Sequence, residues 1–537
     1  MSNILYYGDN LDILQRYVKD EAVDLVYLDP PFNSNANYNV LFKERDGSEA
    51  ASQIKAFEDT WTWTSDDEKV YAALVTAGGR VADCLQAFRT FLGPCDMLAY
   101  LVMMAPRLVQ LRRVMKPTAS IYLHCDPSAS HYLKMLMDAV FGPQYFRNEI
   151  IWKRTSSHND SKRFAGVHDV ILYYSKTLDC FWHPLYTEHD PEYLKTHYNR
   201  TDEDGKTYRL DNIIRSASMG PRPNLSYEFK GYKPQWGWRV NREKLQELDK
   251  QKRIEWSKSG VPYLVRYLDE MKGKLMPSVW DDIAPVNSQA AERLGYPTQK
   301  PEELLERIIE ASSQKGDVVL DPFCGCGTTI AAAQKLKRSW IGIDITHLAI
   351  TLMKKRLLDT FGKAAQFEVI GEPTSLPDAA SLAESDPYQF QWWALGLIGA
   401  RPLDQKKGAD KGIDGKIVLQ GDEVGKFENV IISVKAGSTN VAHVRDLRGV
   451  LDREQAAIGV LIAMEEPTKP MRTEAATAGL WESKLWGKQY PRLQLLTVAE
   501  LLAGKQIEMP PVSQVGQTFK KAAAHKAKGG ETLELKM

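Results

Sequence analysis

Two short stretches of this chain carry residue types whose spacing suits chemistry on a flat, nitrogen-bearing ligand. The first is Asp29-Pro30-Pro31-Phe32, which closes the apolar run Val23 to Leu28. A carboxylate there accepts protons, and two prolines fix the backbone and remove two N–H donors, so the loop offers carbonyl oxygens only. Phe32 adds a ring on which a base can stack. The second is Asp321-Pro322-Phe323-Cys324-Gly325-Cys326-Gly327, between a strand pattern and a helix pattern. Glycines there let the backbone approach a ligand, and the start of the helix presents N–H groups to an anion. Asp344 ends the next strand pattern, 17 residues after Gly327. A carboxylate at that place accepts both hydroxyl protons of a ribose. Together these residues describe a nucleoside pocket. Ile330 stands where a dinucleotide fingerprint wants its third glycine. That disfavours a pyrophosphate and leaves a small carboxylate, such as the methionine end of S-adenosylmethionine.

The elements that must position these residues read as two halves of one α/β sheet. Ile4 to Tyr7 is a short strand, Gly8-Asp9-Asn10 a turn, Leu11 to Val18 has helical spacing, and Val23 to Leu28 is a continuous apolar strand. A polar segment, 42–70, carries Trp61 and Trp63, and a helical pattern over Asp96 to Met115 leads to a strand at Ser120 to His124. The same grammar returns with a strand at Asp317 to Leu320, a helix at Thr328 to Leu336 and a strand at Trp340 to Ile343. Apolar strands alternating with helices predict a parallel sheet covered on both faces.

At 537 residues the chain is too long for one ordinary domain. Its 43% hydrophobic and 26% charged residues supply a core without marking disorder. The apolar stretch Leu98 to Met104 is far short of a membrane span, and MSNILYYGDN lacks the pattern of a secretory signal. Cys84, Cys95, Cys125, Cys180, Cys324 and Cys326 show no CxxC spacing, which argues against a zinc ribbon or disulfide framework and for a reducing cytoplasm. Net charge is zero, but residues 145–280 hold 24 Lys and Arg against 18 Asp and Glu, interleaved with aromatics. Such a surface suits phosphates and bases. Trp152-Lys153-Arg154, Lys162-Arg163-Phe164, Arg209, Arg215 and Arg222 are the candidate contacts.

In these motifs the chain resembles the amino-methyltransferases of DNA, in the class whose catalytic motif precedes the cofactor motif, over about residues 3 to 360. Gly8-Asp9 followed by Leu11 is similar to the motif near the cofactor's adenine, and Asp29 to Phe32 to the catalytic motif. Pro297-Thr298-Gln299-Lys300-Pro301 is similar to the segment that helps hold the methionine part, and Asp321 to Gly327 to the cofactor turn. Cys324 and Cys326 fill variable places, and Phe32 replaces the commoner Tyr. The resemblance implies a permuted Rossmann-like methyltransferase. S-adenosylmethionine would be held by Asp9, Lys300, Asp321, Phe323, Gly325, Gly327 and Asp344. Asp29, Pro30, Pro31 and Phe32 would be catalytic, with no metal needed. The substrate it implies is double-stranded DNA with the target base flipped out of the stack. Asp rather than Ser before Pro-Pro usually accompanies adenine N6 as target, with cytosine N4 as the alternative. A restriction-modification system is the implied setting, and a homodimer is the assembly left open.

The expected boundaries are 1–145 for the catalytic half, 146–295 for an inserted target-recognition region and 296–362 for the cofactor half. A Pro-, Ser- and acid-rich linker over 363–387, a further unit over 388–510 and a disordered tail over 511–537 follow. The further unit has Asp414 before a strand at Lys416 to Leu419, and Ser433-Val434-Lys435 on a neighbouring strand. A helix at Val444 to Glu454 and a strand at Ile458 to Ala463 come next. This resembles the Mrr-like restriction endonuclease fold over about 388–503. The resemblance implies that Asp414 binds Mg²⁺ and that Lys435 steadies the attacking water or the phosphate. Ser433 stands where that superfamily places Glu, Asp or Gln, which puts cleavage in doubt unless Asp410 or Glu428 takes its place.

Overall fold

The computed structural model describes residues 3–31, 63–156, 164–403, 412–420 and 427–510, apart from 221, 288, 289, 291, 295 and 297. Its largest feature is a nine-stranded sheet. The strands are β1 (Ile4–Tyr7), β2 (Val23–Leu28), β3 (Met115–Cys125), β4 (Phe146–Lys153), β5 (His168–Ser175), β6 (Val279–Trp280), β7 (Val318–Asp321), β8 (Ser339–Asp344) and β9 (Glu368–Ile370). They lie in the order β6-β4-β5-β3-β2-β7-β8-β1-β9. Only β5 runs against its neighbours. The strands alternate their side chains between two cores. Tyr6, Val26, Leu28, Ile121 and Leu123 meet the helices Asn10–Arg16, Gly79–Leu92, Asp96–Val114 and Pro127–Phe141. Leu5, Leu25, Tyr27, Tyr122 and Val319 meet Glu302–Ser312, Thr328–Lys335 and His347–Phe361. The sheet is therefore the middle of three layers, and its apolar strands are buried on both faces as their sequences require.

Local signals place the helices. Asp9 caps Asn10–Arg16, its Oδ1 accepting from Leu11 N at 2.8 Å and Asp12 N at 3.3 Å. Asp126 caps Pro127–Phe141 in the same way, with Pro127 at the position where a missing N–H costs nothing.

Residues Pro184–Pro277 form a compact unit of their own. The strands Arg200–Thr201, Thr207–Asn212, Pro262–Tyr267 and Ile254–Trp256 make an antiparallel sheet there. Trp238 is buried with Ile213 and Leu245, its Nε1 donating to Tyr227 O at 2.8 Å. This unit is narrower than the insertion expected over 146–295, because β4, β5 and β6 belong to the large sheet. The expected bounds followed the basic, aromatic-rich composition of 145–280, which does not reveal that these strands pair with the large sheet.

The expected linker over 363–387 is likewise corrected. β9 joins the sheet edge parallel to β1, and the helices Leu376–Ser385 and Pro387–Leu397 bury Ala379, Ala383, Phe390 and Trp393. Two of the prolines that suggested a linker, Pro377 and Pro387, sit in the first turns of these helices, and Ser375 and Asp386 are their N-caps. The C-terminal sheet runs Arg401–Pro402, Gly415–Gln420, Phe427–Lys435, Ile458–Ala463 and Leu493–Thr497. The first three strands are antiparallel and the last three parallel. The expected tail, 511–537, lies outside the described residues. Among the described residues no helix is long and apolar enough to cross a membrane.

Candidate active site

β2 leads on to β3 on one side of the sheet and β7 leads on to β8 on the other, so the seam between β2 and β7 is where the strand order diverges. Open α/β sheets bind ligands outside the carboxyl ends of their strands at such a seam. Asp29 directly follows β2 and Asp321 ends β7. The two sequence motifs therefore meet in space at this point.

Lys300 Nζ donates to Asp29 Oδ2 at 2.5 Å. Both side chains are sheltered, 12% and 18% exposed. The preceding loop delivers the lysine because Gln299 pins it: its Oε1 accepts from Leu294 N at 2.8 Å and its Nε2 donates to Glu292 O at 2.7 Å. Pro30 is buried and Pro31 half-buried. Phe32, Pro297, Lys162 and Arg163 lie outside the described residues.

The glycine turn has the conformation its sequence suggested. Gly325 and Gly327 have φ of 48° and 74°, and a Cβ on Gly327 would stand 2.5 Å from Met353 Cγ. Gly325 N donates to Asp344 Oδ2 at 2.9 Å, while Thr346 N and Oγ1 donate to Asp344 Oδ1, each at 2.9 Å. Burial pushes the Asp344 carboxyl up to about 6 in spite of these donors. Asp321 Oδ1 accepts from Phe323 N at 3.0 Å, and burial, with smaller contributions from the Asp29 and Asp344 charges, pushes its carboxyl up to about 7. The Thr328–Lys335 helix starts at Gly327 with no side-chain cap. Beneath it the buried Arg356 donates to Thr328 Oγ1 at 3.0 Å and to Glu302 Oε2 at 3.2 Å. An uncapped helix start above a buried guanidinium suits a carboxylate, and Asp344 beside the turn suits a ribose. The residues present thus fit S-adenosylmethionine.

Asp9 does more than cap its helix. Arg107 Nη2 donates to Asp9 Oδ2 at 2.6 Å and Arg107 Nε to Asn10 Oδ1 at 2.6 Å, while Asn10 Nδ2 donates to Pro322 O at 2.8 Å. This brace ties the turn after β1 to the cofactor turn. Sequence reasoning passed over Asn10 and Arg107; the available signal was a lone arginine inside the apolar run LVMMAPRLVQL. It also passed over a buried chain behind Asp29, in which Tyr27 Oη lies 2.9 Å from His124 Nδ1 and His124 Nε2 lies 3.1 Å from Asp169 Oδ2.

Residues 23–355 match the N6_N4_Mtase family, described as DNA methylase, which is more than half of the chain. The chain belongs to this DNA methylase family. It is 30% identical over 402 residues to the type II methyltransferase M.EcaI of Enterobacter cloacae, covering 73% of this chain and 77% of that one. It is 27% identical over 388 residues to the Mod subunit of the type III restriction-modification enzyme StyLTI of Salmonella typhimurium, covering 69% of this chain but 55% of that subunit. Among solved structures, the M1.HpyAVI–SAM complex aligns at 14% identity with a TM-score of 0.30, over 66% of this chain and 99% of that one. The methylase is thus a DNA methyltransferase of the N6/N4 family, akin to restriction-modification enzymes.

Several candidate DNA contacts in the methylase are structural. Trp152 is buried, its Nε1 donating to Ile283 O at 3.1 Å. Arg154 pairs with Asp169, Nε to Oδ1 3.1 Å, but its side chain stays exposed and free to meet DNA as well. Within the Pro184–Pro277 unit, Arg209 packs on the Tyr193 and Tyr198 rings and pairs with Asp211, and Arg215 Nη2 donates to Met219 O at 2.5 Å. Lys153, Phe164 and Arg222 remain exposed.

Residues 389–503 match a second family, described as NACHT-associated inactive Restriction Endonuclease 1. The hydrogen bonds around Asp414 lend no support to the expected Mg²⁺ there. Asp414 is buried, and its Oδ2 accepts from Val434 N at 2.7 Å and Ser433 Oγ at 3.1 Å. Glu428 lies five residues along the strand from Ser433, roughly 16 Å at about 3.3 Å per residue, too far to replace it. Among the described residues no group of three His, Cys, Asp or Glu can hold a metal ion. Asp410 lies outside them.

Proposed function

We propose that this methylase transfers a methyl group from S-adenosylmethionine to the N6 amine of adenine in double-stranded DNA. The observation that carries the reading is the meeting of Asp29 and Asp321 at the carboxyl ends of β2 and β7, which supports taking Asp29 as the amine-binding carboxylate beside a nucleoside-binding turn. The glycine turn and the Thr328–Lys335 helix start would hold the cofactor's carboxylate, Asp344 its ribose, and the Asp9 turn the adenine side. Bound there, S-adenosylmethionine supplies an electrophilic methyl group on sulfur.

The chain's own residues then act on the base. An exocyclic amine donates its lone pair into the ring and is a poor nucleophile. Asp29 and the Pro30 carbonyl accept its two protons as hydrogen bonds, which pyramidalises the nitrogen and localises its lone pair toward the methyl carbon. As the N–C bond forms and the S–C bond breaks, one of these protons leaves the nitrogen by way of the Asp29 carboxylate, and Phe32 stacks the base. Holding amine and methyl carbon together is proximity catalysis, worth about 7–11 kcal/mol. The basic unit Pro184–Pro277 reads the DNA. The C-terminal unit keeps a nuclease-like fold without cleavage, a reading supported by the buried, hydrogen-bonded Asp414 and the neutral Ser433.

Mass spectrometry of nucleosides from DNA methylated by the purified chain tests the target. N6-methyladenine is expected, and N4-methylcytosine alone overturns the adenine assignment.

A further inference from the structure

We propose that the nuclease-like C-terminal unit is a built-in brace of the cofactor pocket, acting through Gln389 as a positioning residue. The proposal rests on the reading of Asp344 as the ribose-binding acid.

Asp344 is followed within three residues by His347, the first residue of the His347–Phe361 helix. Thr346 sets the start of that helix: it donates twice to Asp344, and its Oγ1 caps Ala349 N at 3.2 Å. On the opposite side the helix start is held from the C-terminal unit, where Gln389 Oε1 accepts from His347 N at 3.2 Å. His347 N is one of the helix's first N–H groups, which have no partner within the helix. Gln389 is buried and belongs to the first turn of Pro387–Leu397, whose N-cap is Asp386.

The same junction reaches the other wall of the pocket. The His347 ring stacks on Tyr7 with centroids 3.6 Å apart. Tyr7 ends β1 just before Gly8, and Gly8 N donates to Asp344 O at 2.9 Å. Burial drives His347 toward its neutral form, with the Glu372 carboxylate 3.8 Å away opposing the shift. The helices cross without slack, because a Cβ on Gly396 would lie 2.6 Å from Thr351 Oγ1. Asp344, Tyr7 and the Asp9 turn are thus fixed in part by a helix of the C-terminal unit. A chain that has lost cleavage chemistry there still needs the unit to keep its pocket preformed. Preorganisation of this kind raises affinity by removing an ordering cost, and coupling between two sites is reciprocal.

The test uses the full chain, S-adenosylhomocysteine as the probe and three readouts. In Gln389→Leu, calorimetry is expected to show probe affinity weakened roughly three- to tenfold, as for one hydrogen bond partly transmitted. Turnover at saturating S-adenosylmethionine should be unchanged, and Gln389→Glu, which keeps the acceptor, should recover most of the affinity. In the parent chain, adding the probe should slow hydrogen exchange of amides in residues 386–397. A folded Gln389→Leu with parental affinity overturns the proposal. If that variant does not fold, parental exchange in 386–397 that ignores the probe overturns it instead. Asp344→Ala is run alongside. Parental probe affinity in Asp344→Ala defeats the underlying pocket reading, whereas loss there with no effect at Gln389 defeats only the brace.

Discussion

Lys300 Nζ stands 2.5 Å from Asp29 Oδ2, joining residues that lie 271 positions apart in the chain. The resemblance implied a lysine on the methionine part of the cofactor; in the structure its ammonium meets the Asp29 carboxylate. A partly buried ammonium at this distance fixes the orientation of the carboxylate. We therefore expect Lys300→Met to lower kcat by roughly 10- to 100-fold, the scale of a small misplacement of a reacting group. Cofactor affinity should change little. Single-turnover kinetics and calorimetry check this, and a loss confined to cofactor affinity would return Lys300 to the role first expected of it.

The two carboxylates at the ends of β2 and β8 should separate cleanly by substitution. Asp29→Ala is expected to abolish methyl transfer to duplex DNA with cofactor binding nearly parental. Asp344→Ala should weaken cofactor binding, since its carboxylate also orders Gly325 and Thr346. Equal loss of affinity in both variants would contradict the division of roles.

Asp321 and Asp344 make stability depend on pH in a definite direction. Their folded-state carboxyls sit near 7 and near 6, above the ordinary value of 3.8. Between about pH 4 and 7 the folded chain therefore holds protons that the unfolded chain has released, and this contribution to stability falls as pH rises. Above about 7 it is fully lost. Asp321→Asn removes one of the two groups, so the stability difference between variant and parent should rise in the variant's favour from pH 4 to 7. Urea unfolding across that range measures it, and a pH-independent difference would refute the burial argument.

What the sequence made legible was local. Asp29 to Pro31, the Gly325 and Gly327 turn and Asp344 declare themselves because each sits at the end of an apolar strand. What it hid depends on partners far along the chain. Arg107 looks like a stray charge in an apolar helix until Asp9 and Asn10 are seen against it. Trp152 looks like a base-stacking ring in a basic segment, yet β4 buries it because β4 belongs to the central sheet. Pro377 and Pro387 read as linker punctuation, but a proline in a first helical turn costs no hydrogen bond.

The C-terminal unit should not cut DNA, and its Asp414 should matter for folding instead. The carboxylate lies 4% exposed and accepts from Val434 N and Ser433 Oγ across the junction of two antiparallel strands. Removing it strands a buried backbone donor, a loss of about 1–3 kcal/mol. Lys435 is half-buried at the end of the same strand, and among the described residues its substitution removes no such contact. Asp414→Ala should therefore lower the unfolding midpoint clearly and Lys435→Ala hardly at all. Neither should change the fate of unmethylated plasmid with Mg²⁺, which the parent chain is expected to leave intact. Plasmid nicking by the parent that both substitutions abolish would show a working nuclease and reverse this assignment. Intact plasmid together with unequal midpoints would support a nuclease fold kept for its structure, with an aspartate that now holds two strands together.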